Sequence, residues 1–256
     1  MIKKLYLHIG TPKTGTTSIQ KSLCGYNDGK SLYFEHKHIK NNGNHSHVAT
    51  AFASIPRKLL WGIEDSNVLS DEALFNILED VRNDLRRTLI KSNHESLIIS
   101  SEAFCLLDEE GCDNFFSFIK EINNELDIKI ISYLREPKSF CKSEFQQRIK
   151  RHLSSEPFSI PDRIRLHYKT SLKKFTKHVD KASFITKEFD KEKMINGCVV
   201  QDICKIIGIK LKKIINLNEG INIECMKIVN LLNHCVVTYG SEARYSARLK
   251  FIEIIT

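Results

Sequence analysis

Leu5-Tyr-Leu-His-Ile-Gly-Thr-Pro-Lys-Thr-Gly-Thr-Thr-Ser-Ile-Gln20 is the stretch that decides the fold of this chain. It reads as a short apolar strand that runs into a turn rich in Gly, Lys and Thr and then into the start of a helix. A turn of this kind gathers backbone N–H groups and a helix N-terminus at one spot, where hydroxyls and one ammonium can join them. That combination cradles an anion, most naturally a phosphate.

The lettering of the turn separates it from the nucleoside-triphosphate loop G-x-x-x-x-G-K-[ST], which places a lysine directly after its second glycine. Gly10 and Gly15 have the right spacing, but Thr16 stands in the lysine's place, and the lysine of the turn, Lys13, precedes Gly15. An N-capped helix after a strand would account for Thr16 and Thr17. It gives no reason for Lys13 between Pro12 and Gly15.

A second segment has the same design. Asp127-Ile-Lys-Ile-Ile-Ser-Tyr-Leu-Arg-Glu-Pro-Lys138 is a β-branched and aromatic run that stops at Pro137, and a helix with Phe140, Phe145 and Ile149 among its apolar positions follows. Arg135 therefore falls at a strand end, and Ser143 lies one to two turns into the helix. An arginine there suits phosphate because its planar fork pairs bidentately and stays charged; taken alone it reads first as a surface ion pair, and only jointly with the first loop as a phosphate ligand.

Together these segments resemble sulfotransferases that use 3′-phosphoadenosine-5′-phosphosulfate (PAPS) as donor. The string Pro12, Lys13, Thr14, Gly15, Thr16, Thr17 is similar to that family's 5′-phosphosulfate loop. Arg135 with Ser143 eight residues later has the spacing of its 3′-phosphate pair. The pattern Arg135-Glu-Pro through Ser143 to Gln147 looks like the bacterial carbohydrate-sulfotransferase branch. The resemblance covers roughly residues 4 to 232, counting a last strand at Phe184–Phe189 and a helix ending at Gly208. It implies an α/β, P-loop-type three-layer fold with a mostly parallel sheet, PAPS as donor with PAP as product, no metal, and a carbohydrate or glycolipid acceptor. In this reading Lys13 meets the bridging oxygen and sulfo group, and Thr16 and Thr17 hold the 5′-phosphate. Two departures stand out: the Arg-Lys-Gly-type loop of the cytosolic branch is missing, and the adenine-stacking aromatic is unassigned among Trp61, Phe34 and Tyr168.

Sulfo transfer needs a base for the acceptor proton, and two candidates stay open. The strand Ser96-Leu-Ile-Ile-Ser-Ser-Glu-Ala-Phe104 ends in Glu102, at the carboxyl edge where open α/β sheets bind ligands. His45, in the polar run Asn41-Asn-Gly-Asn-His-Ser-His-Val48, is expected to be more open to solvent than a core histidine. His8, inside the first strand, reads as a satisfied core residue, and His47 as a cap or packing residue. His36 and His38 are expected on a wet loop beside Lys37 and Lys40. The acceptor is expected beside residues 41–62, the stretch after Glu102 and residues 150–165.

With 256 residues and 41% hydrophobic content, the chain can bury one good core and is expected to form a single domain over 1–256, its helices at 221–256 packing on that core. No uninterrupted run of about 18 apolar residues is present, which argues against a transmembrane helix and leaves only peripheral membrane contact. The start lacks a signal peptide's pattern. The eight cysteines show no C-x-x-C or C-x-x-H pair and read as reduced core thiols of a cytoplasmic protein. Net charge +8 suits anionic ligands. The basic clusters Arg148–His152 and Lys210–Lys213 match no nucleic-acid motif and read as solvated helix faces. Abundant Ile, Asn and Lys hint at an AT-rich bacterial genome.

Strands are expected at 4–9, 31–34, 96–101, 128–134 and 183–187, with amphipathic helices over 70–93, 113–126 and 163–179 between them. Such alternation argues for a parallel sheet covered on both faces. Two readings from other classes remain beside the sulfotransferase: a P-loop NTPase or small-molecule kinase, and a non-catalytic nucleotide- or polyanion-binding protein.

Overall fold

A computed structural model of the chain describes residues 1–37, 43–59, 70–151, 168–217, 223–239 and 242–255. Five strands, β1 (Lys4–His8), β2 (Ser31–Tyr33), β3 (Ser96–Ser100), β4 (Asp127–Leu134) and β5 (Phe184–Glu188), form one sheet in the order β2-β3-β1-β4-β5. Every pairing is parallel, so the fold is α/β with its helices serving as crossovers. The register sets His8 beside Ser100 on one side and Ile131 on the other. β1 and β4 are neighbours whose onward connections run to opposite sides of the sheet. The carboxyl ends of β1 and β4 therefore flank the switch point at which such sheets bind ligands.

Alternation along the strands sorts the two faces. Leu5, Leu7, Ile99, Leu97, Ile128 and Ile130 face a core closed by α2 (Ser46–Thr50), α3 (Asp71–Lys91), α4 (Glu109–Ile122) and α6 (Tyr168–Thr176). Ile98, Ile131 and Tyr133 face the other core, closed by α1 (Thr16–Leu23) and α7 (Val199–Ile207). In α3, Leu74, Leu78, Val81, Leu85 and Leu89 form the buried stripe, and Ser70 caps it by accepting from the Ala73 N–H. Gly208, at φ 82°, ends α7 in the left-handed conformation that a glycine adopts without a Cβ penalty.

The chain divides into two units. One holds Met1–Leu134 with His167–Ile215 and contains the whole sheet. The other holds Arg135–Leu166 with Asn216–Thr256 and contains α5 (Pro137–Arg151), α8 (Ile223–Tyr239) and α9 (Glu242–Ile255). In this second unit Phe145 and Ile149 of α5 pack on Met226 and Val229 of α8. Arg248 of α9 is buried and donates to the Lys150 carbonyl at 2.7 Å and to the Ile149 carbonyl at 3.1 Å, closing the end of α5.

Several sequence expectations are corrected. His36 is buried, with its imidazole against the Asp84 carboxylate at 3.2 Å, rather than on a wet loop; His38 lies outside the described residues. Lys210–Lys213 follows the end of α7 as irregular chain, not as a helix face. Among the thiols, Cys105, Cys112, Cys198 and Cys204 are buried, Cys24 is exposed and the others are half-buried. Residues 163–167 of the helix expected over 163–179 lie outside the described residues.

Candidate active site

The loop after β1 is built from left-handed turns. Gly10, Lys13 and Gly15 have φ of 52°, 68° and 73°, and alternating backbone handedness points successive N–H groups inward as an anion nest. Gly15 is the N-cap of α1 and offers no side chain, and no acidic residue sits in the first turn. The first turn of α1 thus brings no carboxylate of its own to the helix-start N–H groups and the positive end of the dipole.

The loop's hydroxyls divide their labour. Thr11 donates to the Tyr133 carbonyl at 2.6 Å, tying the loop to the end of β4, and Thr14 donates to the Thr11 carbonyl at 2.6 Å. Both threonines are spent on shape, so Thr14 offers a ligand only its backbone N–H. Thr16 differs: its hydroxyl is buried and has no hydrogen-bond partner. An unsatisfied buried hydroxyl costs about 1–3 kcal/mol, and an incoming anion oxygen would relieve it. Lys13 is half-buried, while Pro12 and Thr17 are exposed at the loop surface.

Both glycines are required by close approach. A Cβ on Gly10 would stand 3.0 Å from Thr16 Oγ1 and 3.4 Å from Glu102 Cβ. A Cβ on Gly15 would stand 2.8 Å from Val199 Cγ1 and 3.3 Å from the Phe189 ring, so the start of α7 and the residue after β5 back the loop. Behind them Asp202 of α7, 1% exposed, accepts from Tyr133 Oη at 2.8 Å and from Lys187 Nζ at 2.6 Å. This buried cluster ties α7 to the ends of β4 and β5.

Glu102 opens a 3₁₀ turn, Glu102–Leu106, immediately beyond β3. Ser101 caps that turn by accepting from the Ala103 N–H at 3.1 Å, and its own hydroxyl donates to Asn44 Oδ1 at 3.0 Å. The Cys105 thiol donates to the Gly10 carbonyl at 2.6 Å, and burial pushes its pKa up to about 12, which keeps it a donor. The carboxylate-bearing turn and the anion loop are therefore joined directly. Lys13, Thr16 and Glu102 belong to one sheet edge.

His45 does not have the expected exposure. It is fully buried; its Nδ1 accepts from the Ser100 N–H at 2.9 Å and its Nε2 donates to the Phe34 carbonyl at 2.8 Å. Its backbone N–H also donates to the Ser100 carbonyl at 3.2 Å. β2 pairs with β3 only as far as Tyr33, and His45 supplies the hydrogen bonds that a longer β2 would have given Ser100. Burial lowers its pKa to about 4. His8 is buried in the strand as read, with its Nδ1 2.8 Å from Ser100 Oγ, and its pKa falls to about 3 for the same reason.

Arg135 directly follows β4. Its Nε donates to Ser139 Oγ at 2.9 Å, and Ser139 and Ser143, four apart on α5, share one helix face. Glu136 accepts from the N–H groups of Lys138 and Ser139 at 2.9 and 2.7 Å, and these bonds hold its carboxyl below the usual range. In the Arg-Glu-Pro string the glutamate is thus the cap of α5. The role of Ser139 was missed in the sequence, although the spacing 135, 139, 143 contains the signal. Of the aromatics considered for stacking, Phe34 is buried in the core, Tyr168 is half-buried on α6, and Trp61 lies outside the described residues. Residues 41, 42, 60–62 and 152–165 of the expected acceptor region lie outside them too.

No helix among the described residues is long and apolar enough to cross a membrane. No protein-family model matches the chain, and neither does any curated protein. Among solved structures it is similar to one described as a sulfotransferase from Alicyclobacillus acidocaldarius, at 14% identity and a TM-score of 0.44, over 96% of this chain and 100% of that one.

Proposed function

We propose that the protein is a PAPS-dependent sulfotransferase that transfers the sulfo group to a hydroxyl of a carbohydrate or glycolipid. The observation that carries this reading is the contact between the Gly10–Thr16 loop and Glu102, with the unpartnered Thr16 hydroxyl inside it. A phosphate cradle and a carboxylate on one strand-end edge suit a transfer in which an acceptor oxygen bonds to sulfur as the bond from sulfur to the bridging phosphate oxygen breaks. Glu102 takes the acceptor proton. Lys13 meets the negative charge that grows on the bridging oxygen, and the N–H groups of Gly15, Thr16 and Thr17 with the Thr16 hydroxyl hold the 5′-phosphate. By their spacing in the sequence, Arg135 and Ser143 are the residues assigned to the 3′-phosphate. These groups supply donors and charge without a metal.

Thr16 in place of the post-glycine lysine disfavours an NTPase or kinase. Eight cysteines with no C-x-x-C or C-x-x-H spacing are in keeping with a reducing, cytoplasmic setting. Calorimetry in EDTA tests the reading: PAP is expected to bind with micromolar or tighter affinity and to outcompete ATP. Failure of PAP to bind, or ATP binding only with Mg²⁺, would overturn it. PAP binding without sulfo transfer to any member of a glycan panel would favour the non-catalytic alternative.

A further inference from the structure

Lys174 on α6 is 8% exposed, and among the described residues no carboxylate pairs with it. Its ammonium donates to the Cys105 carbonyl at 2.7 Å and to the Leu107 carbonyl, and it lies 5.5 Å from the centre of the Phe175 ring. Burying an ammonium without a counter-ion is costly, and burial lowers its pKa against the pull of nearby Asp108 and Glu109. A leucine or methionine would fill the same space without that cost. The two carbonyls it binds explain the choice of lysine: they belong to the end of the 3₁₀ turn that Glu102 begins and to the residue that caps it. That turn is fixed at its start by Ser101, in its middle by the Cys105 thiol on Gly10, and at its end by Lys174.

We propose that Lys174 is a positioning residue, whose buried ammonium clamps the turn Glu102–Leu106 and so sets the spacing between Glu102 and the Gly10–Thr16 loop. The proposal rests on the sulfotransferase reading for its catalytic consequence, though not for the clamp itself. The donor-phosphate cradle is made by the loop, α1 and α7, so losing the clamp affects proton removal far more than donor binding.

The experiment compares wild type with Lys174→Met, which keeps the stem and removes the donors, and with Lys174→Arg, which restores charge and donors. PAP affinity is read by calorimetry, and turnover as PAP released from PAPS with water as acceptor. Lys174→Met is expected to keep PAP affinity within about threefold while turnover falls by about 30-fold or more, as for a misplaced catalytic group; Lys174→Arg is expected to recover part of it. Wild-type turnover in the Met variant would overturn the proposal. So would PAP binding and turnover falling together, the mark of general destabilisation. If wild type neither binds PAP nor cleaves PAPS, the functional reading fails by itself. Hydrogen exchange then decides the clamp: amides of residues 103–107 should exchange at least about tenfold faster in the Met variant, with α3 unchanged, and equal exchange overturns it. Should the Met variant not fold, Lys174→Gln carries the same comparisons, and failure of both to fold would make Lys174 a folding residue and overturn the proposal.

Discussion

Glu102 Cβ lies 3.4 Å from the point where a side chain on Gly10 would begin, so the turn after β3 and the loop after β1 meet with no space between them. Gly10 also holds φ of 52°, where any L-residue is strained. Gly10→Ala should therefore cost about 1–2 kcal/mol for backbone handedness alone, and more as the methyl group pushes on Thr16 Oγ1. PAP affinity should fall with it, because the Thr16 hydroxyl of the cradle is displaced. Thermal melts and calorimetry on the variant check this; unchanged affinity would mean that the loop is not the donor site.

Lys13 has the reverse logic. A lysine at φ 68° is kept against its backbone preference, and strain held at one residue points to its side chain's function. Lys13→Gly should leave the protein as stable or raise stability by up to about 1 kcal/mol. It should cut turnover by about 10²–10³, the usual loss of one donor to a developing charge. Lys13→Ala would confuse the two effects, because alanine keeps the strain. A glycine variant that melts no lower and turns over at the full rate would remove Lys13 from the chemistry.

The two candidate bases separate cleanly by substitution. Glu102→Gln should fold normally and lose about 10²–10⁴ in turnover. His45→Gln can keep both hydrogen bonds, accepting from Ser100 N–H through Oε1 and donating to the Phe34 carbonyl through Nε2. It should keep most of the turnover per folded molecule. Activity normalised to folded protein decides between them, and the reverse pattern would restore His45 as the base.

His45 and His8 also set a pH dependence. Burial lowers them from 6.5 to about 4 and about 3, so each is neutral when folded and binds a proton more readily when unfolded. The unfolded chain then holds more protons between those values and 6.5, and stability rises with pH across that window. Their contribution is complete above pH 6.5 and is lost as pH falls toward 4 and then 3. Urea midpoints at pH 7 and pH 4.5 measure the loss. His45→Gln, which does not titrate, should shrink the difference; an unchanged difference would mean that His45 is not a source of it.

How much of this was legible depends on the kind of signal. The strands and the α3 stripe were readable because burial on a regular element imposes a period, and the loop was readable because its glycines and Lys13 are local in the chain. His45 was misread for the opposite reason. Its neighbours, Asn44 and Ser46, have the composition of an open loop, and nothing local shows that β2 stops two residues short of Ser100. The burial of His36 against Asp84 and the grip of Lys174 on the Glu102 turn are likewise long-range facts. Ser139 is the exception, since its spacing from Arg135 was local and visible.

Arg135 and Ser139 allow a sharper test than either residue alone. Ser139 Oγ accepts from Nε, and that bond restrains the plane of the guanidinium, on which a bidentate pair with a phosphate depends. Arg135→Lys should weaken PAP binding by about tenfold or more, because a point charge cannot reproduce a bidentate pair. Ser139→Ala should weaken it about threefold by releasing the guanidinium, with little effect on melting, since Glu136 still caps α5. If Ser139 acts through Arg135, its substitution should have almost no further effect in the Arg135→Lys background, giving a coupling close to the whole Ser139 effect. Equal losses in both backgrounds would show that Ser139 reaches the ligand independently. No loss in either would detach the start of α5 from nucleotide binding and leave the Gly10–Thr16 loop as the sole phosphate site.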